Sequence, residues 1–216
     1  LGAGHLGFYG DRGDTILDEN DSIGEGFLAE LADDWEKAHF AAAEGIGARG
    51  AVLRMAVSLA PTGGVFPLML QPFRVGMGGW LGDGKQYLPW IGIRDTVAAF
   101  EFLLDREDQH GIFNGCVPEP TRQKDWAKAL GRAIDKPVLR NAPKWALRGA
   151  LGELANHLFL ASIRAVPGRL QRAGFRFQDT DAEATFRWLV HHFENPEEGT
   201  GRHRPTRRRG GARIGR

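Results

Sequence analysis

The sequence predicts an α/β protein built around a mainly parallel β-sheet. Short apolar segments bounded by glycine or proline alternate along the chain with longer segments whose apolar residues recur at helical spacing. Strands that alternate with helices in this way are typical of parallel sheets, because each parallel crossover requires a connection of helix length. The apolar content of 42% in 216 residues is sufficient for a hydrophobic core.

Capping residues and apolar spacing predict the individual elements. Helices are predicted at 27–43, 95–105, 121–134, 143–151, 153–166 and 181–193, with a short last turn before Ala173. Strands are predicted at the start of the chain and at 51–59, 111–117, 138–140 and 175–178, the last as an edge strand. Residues 61–80 form a glycine- and proline-rich excursion.

The first helix carries the clearest local signals. Ser22 and Glu25 have the spacing of a capping box, and glycines at 45 and 47 end the pattern. Apolar residues at helical spacing predict one buried face. That face consists of Phe27, Leu31, Trp35 and Ala38 or Ala42.

The segment 73–95 concentrates glycine and tryptophan before a helix that Asp95 is predicted to N-cap. Glycine permits sharp turns and close approach of the backbone to a ligand. The segment is interpreted either as one wall of a ligand cleft or as a long surface hairpin.

Composition excludes several classes of protein. The single cysteine, Cys116, excludes an internal disulfide and a cysteine-based zinc site, and it is compatible with a cytoplasmic location. No apolar run is long enough to span a bilayer, and no metal site, P-loop or G-x-S-x-G motif is found.

The charge is unevenly distributed. Seven of the 28 basic residues and none of the 27 acidic ones lie in 200–216, so the rest of the chain carries a net charge of −6. We expect residues 194–216 to form a disordered, arginine-rich tail. Either nucleic-acid binding or a merely solvated terminus explains such a tail, and the second is favoured because no aromatic residue is interleaved for base stacking.

Residues 45–50 match the dinucleotide fingerprint G-x-G-x-x-G. That motif requires a preceding strand and a following helix, so that the helix N-terminus faces the pyrophosphate. Here a predicted helix precedes the motif and a predicted strand follows it. We therefore reject it as a phosphate-binding turn.

Ordered motifs resemble the atypical epimerase family branch of the extended short-chain dehydrogenase/reductases. The segments GFYGDRGD (7–14), DWE (34–36), VLR (52–54), GDGKQ (82–86), PWIGIRD (89–95), LGE (151–153) and AGFRF (173–177) carry the resemblance. The family pattern W-I-H-I-D-D has His and Asp where this chain has Gly92 and Arg94.

The resemblance implies the C-terminal part of a Rossmann-like, doubly wound parallel sheet in residues 1–117, followed by a smaller, mostly helical domain of unknown function in residues 118–193. It implies NAD(P) as the cofactor of a full-length relative. Because the chain begins at Leu1 without the phosphate-binding strands, we expect that the dinucleotide-binding half is missing and that the cofactor is not bound tightly.

The wider superfamily uses Y-x-x-x-K with an upstream hydroxyl as its acid/base machinery. This chain has Trp35 and His39 at the corresponding spacing and Gly4 near the hydroxyl position. Indole does not exchange a proton near neutral pH, whereas imidazole does. The catalytic candidates are therefore Tyr9, Trp35 and His39, each weighed against a simple packing role.

Binding residues follow from the resemblance. Arg54, Met55 and Val57 are the cofactor candidates, and Gln86, Trp90 and Arg94 are the substrate candidates. Arg54 and Trp90 also suit a structural role.

Two functions remain open on the sequence. One is an NAD(P)-dependent epimerase or dehydratase acting on an unknown, nucleotide-sugar-like small molecule, with homo-oligomerisation as an option. The other is a non-catalytic binding or regulatory protein, related to cell division, that keeps the fold. An inactive truncated product is a third explanation.

Overall fold

The computed structural model of the chain describes residues 1–142 and 161–199. The strands are β1 (Gly2–His5), β2 (Ile16–Leu17), β3 (Ala51–Met55), β4 (Val57–Ala60), β5 (Gly63–Gly64), β6 (Gly79–Leu81), β7 (Trp90–Gly92), β8 (Gly111–Gly115), β9 (Leu139–Ala142) and β10 (Arg164–Ala165). The helices are α1 (Phe27–Gly45), α2 (Phe66–Arg74), α3 (Ile93–Asp105), α4 (Gln123–Ala133), α5 (Gly168–Arg172), α6 (Ala182–Glu194) and α7 (Pro196–Gly199).

The central sheet has the order β1-β3-β8, and both of its pairings are parallel. Gly2 pairs with Val52, and Val52 in turn pairs with Ile112. Helices or long loops make each crossover. The predicted α/β class with a parallel sheet is confirmed.

Strand β3 shows why helices cover both faces of this sheet. Successive side chains of a strand point to opposite faces. Leu53 packs in a cluster with Leu103 of α3 and Leu170 of α5. The next residue, Arg54, reaches Glu36 of α1 on the other face. The sheet is therefore covered by α1 on one side and by α3 and α5 on the other.

The predicted strand 51–59 is two strands in two sheets. Ala56 separates them, and its N–H donates to Gly115 O at 2.9 Å. After it, β4 pairs in parallel with β7 and antiparallel with β5. The apolar residues that follow, predicted as part of an irregular excursion, form α2.

An aromatic cluster connects strand β7 with helices α4 and α6. Trp90 of β7 is fully buried against Phe186 of α6, with ring centroids 5.8 Å apart. Trp126 of α4 meets the same ring edge-on at 4.7 Å. Offset and edge-on pairs of this kind stabilise a core beyond their buried area. These contacts pack α4 and α6 against β7, which belongs to the second sheet, β5-β4-β7.

The predicted buried face of α1 is wrong. Phe27, Leu31 and Trp35 have exposed fractions of 69%, 50% and 61%. The buried residues are Ala29, Ala32 and Glu36. Small alanines let the helix approach the turn after β1, and the Glu36 carboxylate is drawn in by Arg54, so tertiary contacts select the buried face rather than apolar spacing.

The predicted capping box is also wrong. The N-cap of α1 is Gly26, without a side-chain hydrogen bond. Ser22 Oγ instead lies 3.3 Å from Arg12 Nη2, which donates to it.

Helix α3 begins at Ile93, two residues before the predicted cap. Asp95 lies buried in its first turn and accepts the N–H groups of Gln178 and Asp179, each at 2.9 Å. The predicted edge strand 175–178 is wrong: within it, Phe175 N–H donates to Leu170 O and Gln178 N–H donates to Asp95, so neither group is left for strand pairing. Asp95 anchors the C-terminal segment to α3.

Several predicted boundaries in the second half are confirmed. Helix α3 ends at Asp105, α4 lies within the predicted 121–134, and Asp181 caps α6 by accepting Ala184 N–H at 2.7 Å. The predicted helix 153–166 is wrong at its end, where β10 pairs with β2. The helix 143–151, most of 153–166, the motif at 151–153 and the tail 200–216 lie outside the described residues.

Within residues 1–142 and 161–199, no helix combines the length and apolar character needed to cross a membrane.

Candidate functional site

The carboxyl end of β1 leads into a tight 3-10 turn, Leu6–Tyr9. His5 caps this turn, because its Nδ1 accepts the N–H of Gly7 at 2.8 Å. A Cβ on Gly7 would lie 2.5 Å from the same nitrogen, so the imidazole requires glycine there. Burial lowers the pKa of His5, which favours the neutral ring near pH 7.

A cavity of about 300 Å³ opens beside this turn. It lies where the turn, the N-terminus of α1 and the segment after residue 160 meet. Its lining residues are Gly7, Gly10, Asp11, Glu25, Gly26, Phe27, Leu28, Ala29, Ala161 and Ile163. Crevices outside the carboxyl ends of parallel strands are the usual ligand sites of α/β folds.

A buried polar network involves the same turn through Phe8 and Tyr9. Arg54 donates from Nε and Nη2 to the two carboxylate oxygens of Glu36, at 2.7 and 2.8 Å. Its Nη1 donates to Tyr9 Oη at 3.0 Å, and its Cζ lies 3.4 Å from the centre of the Phe8 ring. Such bidentate pairing satisfies a buried guanidinium.

Tyr9 completes the network from the other side. Its hydroxyl lies 2.8 Å from the main-chain oxygen of Asp18 and 2.9 Å from Asn114 Oδ1. Burial raises the pKa of Tyr9 to about 12, against the smaller opposing effect of the Arg54 charge. A fully buried, fully partnered hydroxyl with this pKa does not suit an acid/base role at neutral pH.

The Tyr9 pKa makes a pH dependence of stability testable. The folded protein holds this proton up to about pH 12, whereas the unfolded chain releases it near 10.0. Stability from this group is therefore fully present below pH 10 and is lost as the pH rises from about 10 to about 12. Tyr9→Phe should remove that alkaline slope in unfolding free energy.

Ultraviolet titration of tyrosine provides the direct check, because the chain has only two tyrosines. The component that ionises near pH 12 should disappear in Tyr9→Phe. An alkaline titration that is unchanged by Tyr9→Phe would contradict the assignment.

The three catalytic candidates are not brought together. Trp35 is exposed on α1, one turn before His39. The His39 ring lies against Gly2, at the amino end of β1, since a Cβ on Gly2 would be 2.8 Å from its Nδ1. The cavity borders the opposite end of that strand. The geometry therefore gives no shared acid/base site to Tyr9, Trp35 and His39, and their catalytic role stays a prediction.

The cofactor candidates face the interior. The Arg54 guanidinium is occupied by Glu36 and Tyr9, and Met55 and Val57 are partly buried against two hydrophobic clusters. Residues 45–50 follow α1 and precede β3, which is the reverse of the order that a phosphate-binding turn requires. The rejection of the G-x-G-x-x-G match agrees with this order. Residues 45–50 therefore do not fit the pyrophosphate of a dinucleotide.

The substrate candidates are likewise engaged elsewhere. Trp90 is buried and its Nε1 donates to Thr121 Oγ1 at 3.3 Å. Gln86 Nε2 donates to Gln123 Oε1 at 2.9 Å. Arg94 is paired with Asp179, its Cζ 4.2 Å from the centre of the Trp188 ring. None of the three lines the cavity, so their substrate role stays a prediction.

Sequence reasoning missed most cavity residues. Gly7, Gly10 and Asp11 belong to the GFYGDRGD segment, so that motif was an available signal. The spacing predicts Glu25 as part of a capping box and not as a cavity residue. Ala161 and Ile163 carry no local signal. Within the described part of the chain, no group of three His, Cys, Asp or Glu side chains is placed to hold a metal ion.

Comparison with known proteins finds relatives of this chain. The family model described as "Domain of unknown function (DUF1731)" matches residues 142–189. Over 177 residues the chain is 41% identical to an epimerase family protein of Mycobacterium bovis, a match that covers 82% of this chain and 58% of that relative. The chain belongs to the epimerase family.

Solved structures show the same relationship. This epimerase family chain is similar to the human epimerase family protein SDR39U1 with NADPH, with a TM-score of 0.80 and 26% identity over 88% of this chain and 64% of that one. It is also similar to the nucleoside-diphosphate sugar epimerase from Corynebacterium glutamicum, with a TM-score of 0.71 and 32% identity over 91% of this chain and 39% of that one. The chain thus spans about half the length of the curated relatives it matches.

Proposed function

We propose that this epimerase family chain forms the substrate side of an NAD(P)-dependent epimerase- or dehydratase-like protein. Its ligand is a small, hydroxyl-rich molecule of the nucleotide-sugar class, bound in the cavity beside the turn Leu6–Tyr9. The position of that cavity supports the proposal: it lies at the carboxyl edge of a parallel sheet, where it joins the sheet to the segment matched by the family model.

The lining suits a sugar. Asp11 and Glu25 bring carboxylates, which accept hydrogen bonds from hydroxyl groups. The first turn of α1 has no side-chain cap, and its Ala29 N–H donates to Gly26 O at 3.0 Å, so the N–H groups of Phe27 and Leu28 are the ones available to oxygen atoms of a ligand. Phe27 and Leu28 supply apolar surface for the carbon face of the ring. At about 300 Å³ the cavity is at the lower end of the range for small-molecule sites.

The dinucleotide is not assigned to these residues. Because residues 45–50 are not placed as a phosphate-binding turn, we expect this chain by itself to bind NAD(P) weakly. We propose that the phosphate-binding turn lies in the part of the relatives that this chain does not match.

A second function, binding without catalysis, is favoured by the residues found at the expected acid/base positions. By resemblance, Trp35 occupies the position of the superfamily's proton-transferring tyrosine. The Tyr9 hydroxyl is buried and hydrogen-bonded to Arg54. A protein that binds the same class of ligand without converting it fits these observations equally well. Binding and turnover must therefore be measured separately.

Calorimetric titration of the chain with nucleotide sugars tests the proposal. Ala161→Trp should fill the cavity and abolish binding, while Ala38→Trp, on the exposed surface of α1, should leave it unchanged. Thermal unfolding of each variant checks that the fold persists. Binding that is insensitive to Ala161→Trp, or no binding at millimolar ligand, would overturn the cavity assignment.

Proton NMR of the bound sugar nucleotides with added NADP then separates the two functions. A new sugar signal supports the enzyme, and unchanged ligand with intact binding supports the binding protein.

A further inference from the structure

Two arginines converge on the ring of Tyr87, outside the cavity. Arg122 Cζ lies 4.4 Å from the ring centroid and Arg164 Cζ lies 5.0 Å from it. Tyr87 itself is buried. Stacking on an aromatic ring holds a guanidinium in place and leaves its edge free for hydrogen bonds. We refer to Arg122 and Arg164 as the arginine pair.

Both members of the arginine pair already hold oxygen atoms of one residue, Asp14. Arg122 Nη2 lies 3.1 Å from Asp14 Oδ2, and Arg164 Nη1 donates to the Asp14 main-chain oxygen at 3.2 Å. The Asp14 side chain is 70% exposed. An exposed ion pair of this kind contributes little and is readily displaced. The carboxylate therefore marks the position of an oxyanion beside Arg122, and the Asp14 main-chain oxygen places Arg164 next to it.

A further donor at this position has no acceptor. Nε of Arg164 is buried and has no hydrogen-bond partner among the described residues. Leaving a buried guanidinium N–H unpaired is costly, and an additional oxygen ligand removes that cost.

The backbone around the arginine pair is held by a set of hydrogen bonds. Ser162 Oγ accepts Tyr87 N–H at 3.0 Å and donates to the Gly13 oxygen at 2.7 Å. Arg12 N–H donates to Ser162 O at 3.0 Å, and Ile163 N–H donates to Tyr87 O at 3.2 Å. Three segments distant in sequence are thus fixed to one another, and the pair is pre-organised.

Alternation along the chain separates this position from the cavity. Ala161 and Ile163 line the cavity, whereas Ser162 and Arg164 contact Gly13, Asp14 and Tyr87. In extended backbone, alternate side chains point to opposite sides. The arginine pair therefore belongs to a site on the other side of this segment.

We propose that the arginine pair binds the phosphate group of a phosphorylated small molecule, which displaces the Asp14 carboxylate. Two guanidinium groups match a phosphate, which carries about two negative charges near pH 7. Its oxygens accept from several N–H groups at once, including Arg164 Nε. The proposal goes beyond the function assigned to the cavity and does not depend on it.

Calorimetric titration of the full chain with inorganic pyrophosphate tests the site. Arg122→Gln and Arg164→Gln should each weaken binding about tenfold or more. Asp14→Asn should tighten it about two- to fivefold, because it removes the competing carboxylate. The matched control is Arg106→Gln, since Arg106 also has an aspartate partner and an aromatic neighbour, and no second arginine of the described residues lies over that Phe102 ring; it should have no effect.

Thermal unfolding establishes that each variant is folded. Should Arg164→Gln fail to fold, Arg164→Lys keeps the charge, loses the planar fork and should still weaken binding. No pyrophosphate binding to the unaltered chain, an equal loss in Arg106→Gln, or weaker binding in Asp14→Asn would overturn the proposal. Succinate bound as tightly as pyrophosphate would overturn the assignment to phosphate. Because pyrophosphate is the probe, a failure of nucleotide sugars to bind in the cavity leaves this result unaffected.

Discussion

Glu36→Ala is expected to lower the free energy of unfolding by about 3–5 kcal/mol. Both side chains of the Glu36–Arg54 pair are almost fully buried. Removing the carboxylate leaves two guanidinium N–H groups unpaired inside the protein. Chemical denaturation monitored by tryptophan fluorescence measures the change.

Two further variants show whether burial of the ion pair causes the loss of unfolding free energy in Glu36→Ala. Lys37→Ala removes half of the neighbouring Lys37–Asp33 pair, which is exposed on the same helix, and should leave stability unchanged. The double variant Glu36→Leu with Arg54→Met should be more stable than Glu36→Ala, because it leaves no unpaired charge. Equal losses in Glu36→Ala and Lys37→Ala would show that the pair is not desolvated as described.

Gly92→Ala should lower the free energy of unfolding by about 1–3 kcal/mol through overpacking. Gly92 has φ −70° and ψ 149°, which alanine adopts without strain, so the backbone is not the reason. An added Cβ would lie 2.1 Å from Asp179 Oδ2. Asp179 is buried and paired with Arg94, so it cannot move without breaking that pair. The measurement is again the unfolding free energy.

A double-mutant cycle isolates the contact. Gly92→Ala should cost clearly less in an Asp179→Ala background, where the obstructing carboxylate is gone. Gly45→Ala is the control, since nothing lies within 4 Å of its Cβ position, and it should be neutral or slightly stabilising. The same loss with and without Asp179 would refute the steric explanation.

This contact also explains a departure from the family pattern. The pattern has His and Asp where this chain has Gly92 and Arg94. Asp179 occupies the space that a side chain at 92 needs, and Arg94 neutralises Asp179. Both differences are therefore explained by the same residue, Asp179, which lies 85 positions after Arg94 in the chain.

The fold class could be predicted because its signals are local. Alternating apolar segments and helical spacing identified β3, β8, α3 and α4, and Asp181 identified the start of α6. The order of motifs then identified the family. The face of α1 could not be predicted in this way, because its apolar stripe and its buried stripe have the same period and differ only in which side packs against the sheet.

The candidate site was predicted only in outline. The segment containing Gly7, Gly10 and Asp11 carries a recognisable motif, whereas the ligand-facing roles of Arg54 and Trp90 stay predictions, and both side chains are buried with partners. Burial of a polar group depends on what the rest of the chain brings to it.

The sequence by itself determined the alternation of helices and strands, the family, and the absence of Y-x-x-x-K. Each depends on residues close together in the chain. The tertiary structure alone decided which polar groups pair, because the partners are far apart: Arg54 and Glu36 are separated by 18 residues, Tyr9 and Asn114 by 105, and Arg164 and Asp14 by 150. Hydrogen bonds act over about 3 Å, so only folding across those separations specifies them.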